Sequence, residues 1–422
     1  MINIEKLLKE SKATEWKINS TKTESYELFF VHSKLETVRA TDTDSTTVTV
    51  YLDHDGKKGQ ASFKIYASTS EDEAKAKIHS ALEKAALISN EYYALPEGEA
   101  LDGAIKSNIA DLEPRTVASK IAEAVFSSDM LGMGSVNALE IFINKYTVTV
   151  KNSRGMDKRE IKYSTMVEAI PTWNEGESVE LYEAIRTAKF DYDQIKSEIE
   201  AKMREVRDRG RANAPESKLS CPVVLPADEL SRLFGELAHT LNFASVYTKQ
   251  NPFSEGDAIQ KSPTGDKITV TMRGQLKGSS ASALFDTDGT TLRDVKVIEN
   301  GIAVAYFGGD RFAQYLGRTA TGELSCYEVE CGTLDDEELN SAPYFECVSM
   351  SGLQLDIYND YIGGEVRLAY YFDGEKKIPV TGISISGKLS DALNSLRLSS
   401  IATQSGRYFG PKLARFEGIE IV

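Results

Sequence analysis

Histidine and cysteine are scarce in this chain, with four of each among 422 residues. The histidines, His32, His54, His79 and His239, are scattered, and none is followed by glutamate. A zinc-peptidase helix needs two imidazoles on one face and a carboxylate beside the first. No His-Glu pair exists to begin one. The cysteines, Cys221, Cys326, Cys331 and Cys347, form no Cys-x-x-Cys pair. Cys326 and Cys331 fall on a segment that reads as a strand, where an odd spacing sends side chains to opposite faces. Free thiols in a reducing compartment are the expectation. No apolar run approaches the ~18 residues of a membrane span. The first residues, MINIEKLLKESKATEWK, lack an apolar core followed by a small-residue cleavage site. No secretory signal is read there, and the expected location is the cytoplasm. An excess of positive charge is absent too. The formal net charge is −15, which opposes binding to a phosphate backbone, so no nucleic-acid partner is expected. The one concentrated basic run, Lys202–Arg211, is interleaved with Glu205 and Asp208 and reads as a solvated helix face leading into a linker. No Gly-x-Ser-x-Gly elbow, phosphate-binding loop or dinucleotide fingerprint occurs. Gly308-Gly309 reads as a turn, and Asp335–Glu338 as a solvated loop or the start of a helix.

The composition, 41% hydrophobic and 27% charged, is enough for a sizeable core and two to three domains. Residues 4–10 read as a short helix. From Glu24 to Ala67, four segments alternate like strands: YELFFVHS, LETVRAT, STTVTVYLD and GQASFKIYA. The Asp-Gly of DHDGKKG marks a turn between the last two. Ser70, with Glu73 three residues on, reads as a capping box for a helix that places Ile78, Leu82, Ala85 and Ala86 on one face. His79 lies beside that stripe. Residues 91–115 read as loop. A second unit repeats the order of strands and a long helix: a helix near 116–126, strands near 139–143, 147–151 and 159–170, and a helix over 191–209. The polar stretch 210–220 is a boundary. The third region opens on Cys221–Leu225. A helix follows with Leu230, Leu233, Phe234, Leu237 and Leu241 on one face, and then strands with frequent glycine turns. The expected class is α+β: N-terminal antiparallel sheet-plus-helix units at 1–115 and 116–215, as an architectural repeat, followed by a β-rich C-terminal domain at 216–422.

Short phrases along the chain resemble one family in order and spacing. They are VVLPADELSRLFGELAHTLNFASVYTKQNPF with its Ser245-Val246-Tyr247-Thr248-Lys249, Phe285-Asp286-Thr287-Asp288-Gly289 with Arg293 and Glu299-Asn300-Gly301, Ile378-Pro379-Val380, and Ile383-Ser384-Ile385-Ser386-Gly387. The C-terminal stretch 341–422 carries the likeness furthest. The chain is identified as resembling the TldD/PmbA family, whose members are often labelled modulators of DNA gyrase. The resemblance implies two kinds of member. TldD-type proteins bind zinc through a His-Glu-x-x-x-His helix and a later cysteine, and cleave peptides. PmbA (TldE)-type proteins lack that helix and act as partners.

Laid on the family's helix, Phe234 takes the place of the first histidine, Gly235 that of the glutamate, and His239 that of the second histidine. Glu236 comes one residue late, about 100° around the helix, and no cysteine follows Cys347. One ligand of three cannot hold catalytic zinc, so no zinc or other cofactor is expected here, only on a TldD-type partner. His239 can be read as a remnant lining a cleft or as a helix-boundary histidine with a satisfied hydrogen bond. Asp360-Tyr361 stands where the family reads Gly-Asp-Tyr. The Ser-Arg-Gly-Ala-Ser-Gly that follows there is replaced by Ile362–Arg367, so if that stretch shapes the peptide cleft its chemistry here is altered or lost. The candidate cleft by family position is therefore Phe234, Gly235, His239, Asp360 and Tyr361, with no catalytic residue among them.

The expected function is a PmbA/TldE-like, non-catalytic subunit of a cytoplasmic metalloprotease complex that processes unfolded peptides beside a TldD-type zinc subunit. The alternative is an independent homodimeric binding or scaffold protein of the same fold. A stand-alone enzyme with an unrecognised site is a third reading. No membrane partner is expected.

Overall fold

The computed structural model describes residues 2–129, 133–175 and 178–422. The class is α+β, as expected, with three mostly antiparallel sheets. The N-terminal nine-stranded sheet is built on three long strands, Glu15–Val31, Lys34–His54 and Gly134–Asn152, with Asp157–Trp173 beside the last. Glu15–Val31 pairs with Lys34–His54 on one side and with Gly134–Asn152 on the other. Strands from both N-terminal units thus share one sheet. Asp55 and Gly56, at φ 49° and 72°, make the Asp-Gly turn into Lys57–Ile65, the mirror-image turn that hairpin twist favours.

The strands run further than their sequence shows. Reading placed breaks near residues 42–44 and 144–146, yet each strand passes straight through. Lys57–Ile65 reaches only Thr46–His54, so among the described residues Lys34–Ser45 is paired on one side alone. At the break, Asp42-Thr43-Asp44 is exposed and carries no apolar side chain to read. A short strand inside the expected loop, Ala100–Ala104, pairs parallel with Asp157–Trp173.

Helices cover one face of this sheet. Ser70 caps the helix Glu71–Ala85 by accepting the Glu73 N–H at 3.2 Å, and that helix packs on Lys57–Ile65. The helices Pro114–Phe126 and Tyr192–Arg211 pack on the long strands through Ile121, Val125, Ile195, Ile199 and Met203. The basic run at the end of the second helix is less solvated than its sequence suggests. Lys202 lies between Glu183 at 3.1 Å and Glu205 at 2.7 Å.

The C-terminal region holds the other two sheets. One has nine strands, centred on Val223–Pro226, Tyr344–Met350 and Tyr361–Phe372; the other has six, centred on Val270–Arg273 and Cys326–Val329. Between them lies the helix Ala227–His239. Leu230, Leu233, Phe234 and Leu237 on its apolar face, with Leu241 just beyond, are fully buried in the core shared by both sheets.

The loop Leu284–Leu292 joins the two halves. Glu160 of the N-terminal sheet accepts the Leu284 N–H at 2.7 Å, Lys158 donates to the Thr291 hydroxyl at 2.6 Å, and Lys17 pairs with Asp288. No described helix is long and apolar enough to cross a membrane.

Candidate functional site

The helix Ala227–His239 buries one face and offers the other. Asp228, Ser231, Arg232, Gly235, Glu236 and His239 follow one another at helical spacing along the wall of a cleft of about 580 Å³. The opposite walls come from the six-stranded sheet and its loops, through Met272, Phe307, Glu323, Ser325, Tyr327 and Arg407.

Internal bonds hold most of this cleft in place. The Tyr327 hydroxyl donates to the Ser231 carbonyl and lies 2.9 Å from the Ser231 hydroxyl. Glu323 has both carboxylate oxygens engaged, one by the Gly309 N–H and one by the Asn242 amide, each at 2.9 Å. Asp228 accepts from the Ser405 hydroxyl at 2.5 Å, which ties the hairpin of strands Ala402–Ser405 and Tyr408–Pro411 to the start of the helix.

Behind Glu323 sits Asp286. Its carboxylate accepts the N–H groups of Asp288 and Thr290 at 2.9 Å and of Glu323 at 3.1 Å. Burial nevertheless pushes its pKa up to about 6, with Asp288 adding to the shift. A carboxyl raised in the folded state contributes stability that is fully present below its unfolded pKa, near 3.8, and lost as pH rises through 6. The shift corresponds to about 3 kcal/mol at most. Wild type measured against Asp286→Asn should therefore lose relative stability between pH 4 and pH 7. Denaturant melts of both proteins across that range check this, and a flat difference would remove Asp286 as the cause. The Asn variant keeps an acceptor for Asp288 and Thr290 but turns its amide toward the Glu323 N–H, so a constant offset is expected as well.

The five residues singled out by family position separate. Gly235 and His239 line the cleft. Phe234 points the other way, fully buried and stacked on Tyr408 with ring planes 4° apart. A side chain at 235 would place its Cβ 3.0 Å from the Tyr327 hydroxyl. His239 is exposed. Asp360, at φ 55°, takes the Ser390 N–H at 2.6 Å and the Ser390 hydroxyl at 2.7 Å, and so anchors the helix Leu389–Ser395. The Tyr361 hydroxyl lies against Gly363. Neither Asp360 nor Tyr361 borders the cleft, and neither do the departures at Ile362–Arg367, which form part of the strand Tyr361–Phe372. Gly363 and Gly364 are there because a Cβ would meet the Ile385 and Gly352 carbonyls at 2.7 and 2.9 Å.

Sequence reading missed Arg232, Glu323, Tyr327 and Arg407, which come together only in the folded chain. Among the described residues no three His, Cys, Asp or Glu side chains are placed to share a metal ion. With Phe234 turned into the core, the cleft offers one imidazole, His239, and one unengaged carboxylate, Glu236, while those at 228 and 323 are already bonded.

Comparison with known proteins agrees with this architecture. Residues 218–422 match the family described as the PmbA/TldA metallopeptidase C-terminal domain. A metalloprotease PmbA homolog from Haemophilus influenzae is 25% identical over 183 residues, a match spanning 42% of this chain and 40% of that protein's length. TldE from Thermococcus kodakarensis has the same fold over 99% of both chains, with a TM-score of 0.83 at 15% identity. A Bacteroides thetaiotaomicron protein, provisionally named a modulator of DNA gyrase, superposes over 99% of this chain and 97% of its own, with a TM-score of 0.80 at 14% identity. The phrases shared along the chain, the matched C-terminal half and the fold agree: the chain belongs to the TldD/PmbA family.

Proposed function

We propose that this chain is a non-catalytic, PmbA/TldE-like subunit of a cytoplasmic peptidase complex. Zinc and bond cleavage belong to a TldD-type partner, and this chain supplies wall and binding surface for unfolded peptide. One observation carries the reading. The helix that would present paired imidazoles instead turns Phe234 into the core and holds Gly235 under the Tyr327 hydroxyl. That leaves a cleft without the paired imidazoles of a zinc helix. A catalytic zinc site keeps three protein ligands and an open position, and the unengaged donors lining this cleft are two, Glu236 and His239.

The test combines metal content with cleavage of an unstructured peptide, by this chain alone, by a TldD-type subunit alone, and by the two mixed. The expected outcome is no stoichiometric zinc and no cleavage by this chain, with faster cleavage by the mixture than by the partner. Zinc at one per chain together with cleavage by this chain alone would overturn the reading.

A further inference from the structure

We infer that the cleft beside the helix Ala227–His239 is a receptor for a carboxylate, and that its natural source is the C-terminal end of an extended peptide. The inference rests on the reading above of the chain as a peptide-handling subunit, and it names what that surface recognises.

Two arginines line the cleft from different walls. Arg232 comes from the helix and Arg407 from the hairpin, next to Tyr408, which stacks under Phe234. Among the described residues neither side chain makes a hydrogen bond or an ion pair. Most arginines of this acidic chain are engaged, as Arg273 is by Asp294 and Glu328 and Arg397 by Glu338. Two cations without partners on one concave surface therefore stand out.

Two of the cleft's own carboxylates are bonded to other groups and not to these arginines. Glu323 is saturated by Asn242 and Gly309, and Asp228 is taken by Ser405. Glu236 remains without a bonded partner, one helical turn past Arg232, with exposed His239 beyond it. The cleft thus has a cationic part between Arg232 and Arg407 and an acceptor-bearing part toward Glu236 and His239.

Charge limits the ligand. Asp228, Glu236 and Glu323 repel a dianion such as a phosphate ester more strongly than a single carboxylate, which two guanidinium forks can grip. The volume suits a short length of peptide and not a folded domain. A carboxylate at the arginines with backbone amides running toward Glu236 matches both parts. An aspartate or glutamate side chain within a peptide offers the same chemistry, so the source has to be separated by experiment.

The probe is a fluorescent unstructured decapeptide without Asp or Glu, made as the free acid, as the C-terminal amide, and as the amide with one internal glutamate. Binding to the full chain is followed by anisotropy, without any partner subunit. Amidation is expected to weaken binding about tenfold, the loss of one charge-assisted pair. Arg407→Gln and Arg232→Gln should each weaken the free acid by a similar factor and leave the amide unchanged. Both sites are on the surface, and unchanged thermal midpoints confirm that folding is intact. Equal binding of acid and amide would overturn the carboxylate inference while leaving a peptide-binding subunit in place. Full rescue by the internal glutamate would overturn the C-terminal source. Absence of binding by any of the peptides would overturn the inference, and the partner-dependent cleavage assay then judges the subunit reading separately.

Discussion

Phe234→Ala is expected to destabilise the chain by about 3–5 kcal/mol, the usual cost of emptying a fully buried aromatic site. Phe234 has no exposed surface, and its ring lies parallel to that of Tyr408, with centroids 6.5 Å apart. Its neighbours come from both C-terminal sheets, so collapse around the cavity would have to move two layers at once. The same packing governs any attempt to rebuild a zinc helix. Phe234→His would bury an imidazole among apolar side chains with no partner for its ring nitrogens. Gly235→Glu would add a Cβ 3.0 Å from the Tyr327 hydroxyl, an overpacking costing about 1–3 kcal/mol. The double variant should therefore be destabilised by at least as much as Phe234→Ala and should bind no stoichiometric zinc. Guanidinium unfolding and metal analysis measure both. A stable double variant carrying one zinc would mean that Phe234 can swing into the cleft, contrary to its packing.

Lys58→Met is the second large effect, expected at about 3 kcal/mol. The Lys58 side chain is fully buried, pairs with Glu15, and lies 2.9 Å from Asp53. Three tyrosine rings surround its ammonium group, Tyr92 at 4.9 Å, Tyr51 at 5.5 Å and Tyr93 at 5.6 Å. Replacing the lysine alone leaves two carboxylates facing that pocket without their cation, and breaking a buried pair from one side costs about 3–5 kcal/mol. The lower figure applies because Asp53 is one-third exposed and Arg154 approaches Glu15 at 3.8 Å. The consequence reaches past the N-terminal sheet. Tyr93 packs edge-on against Tyr315, whose hydroxyl donates to the Glu91 carbonyl, while Arg311 donates to the Asn90 side chain at 2.9 Å. Lys58→Met should therefore increase proteolysis near residues 90–95 along with the loss of stability. A melt unchanged from wild type would show that the carboxylates find other partners.

What was legible in the sequence followed from periodicity. The stripe Leu230, Leu233, Phe234, Leu237 and Leu241 named a helix face because burial on both sides demanded five apolar residues at helical spacing. Ser70 and the Asp55-Gly56 pair named a cap and a turn because few other residues suit those backbone positions. The lengths of the N-terminal strands were not legible. Thr41–Ser45 is solvent-facing at a sheet edge, and extended backbone held by one neighbour needs no apolar signature. The cleft was legible only along its helix, through Gly235 and His239. Arg407 lies 175 positions beyond Arg232 (407 − 232), and nothing local marks either as a cation without a partner. Asp360 and Tyr361 stand at their family positions, yet the fold uses Asp360 to hold a helix end away from the cleft.

The pairing of Val223 with Phe416 has a consequence for synthesis. The strand that opens the C-terminal region finds its antiparallel neighbour 193 residues later (416 − 223). At about 5–20 residues per second on the ribosome, that neighbour arrives roughly 10–40 s afterwards. Until then the apolar face of the helix Ala227–His239 lacks one of the layers that cover it. Nascent chains of this protein should thus be clients of a holding chaperone through most of their second half, and release should coincide with the last strands leaving the exit tunnel.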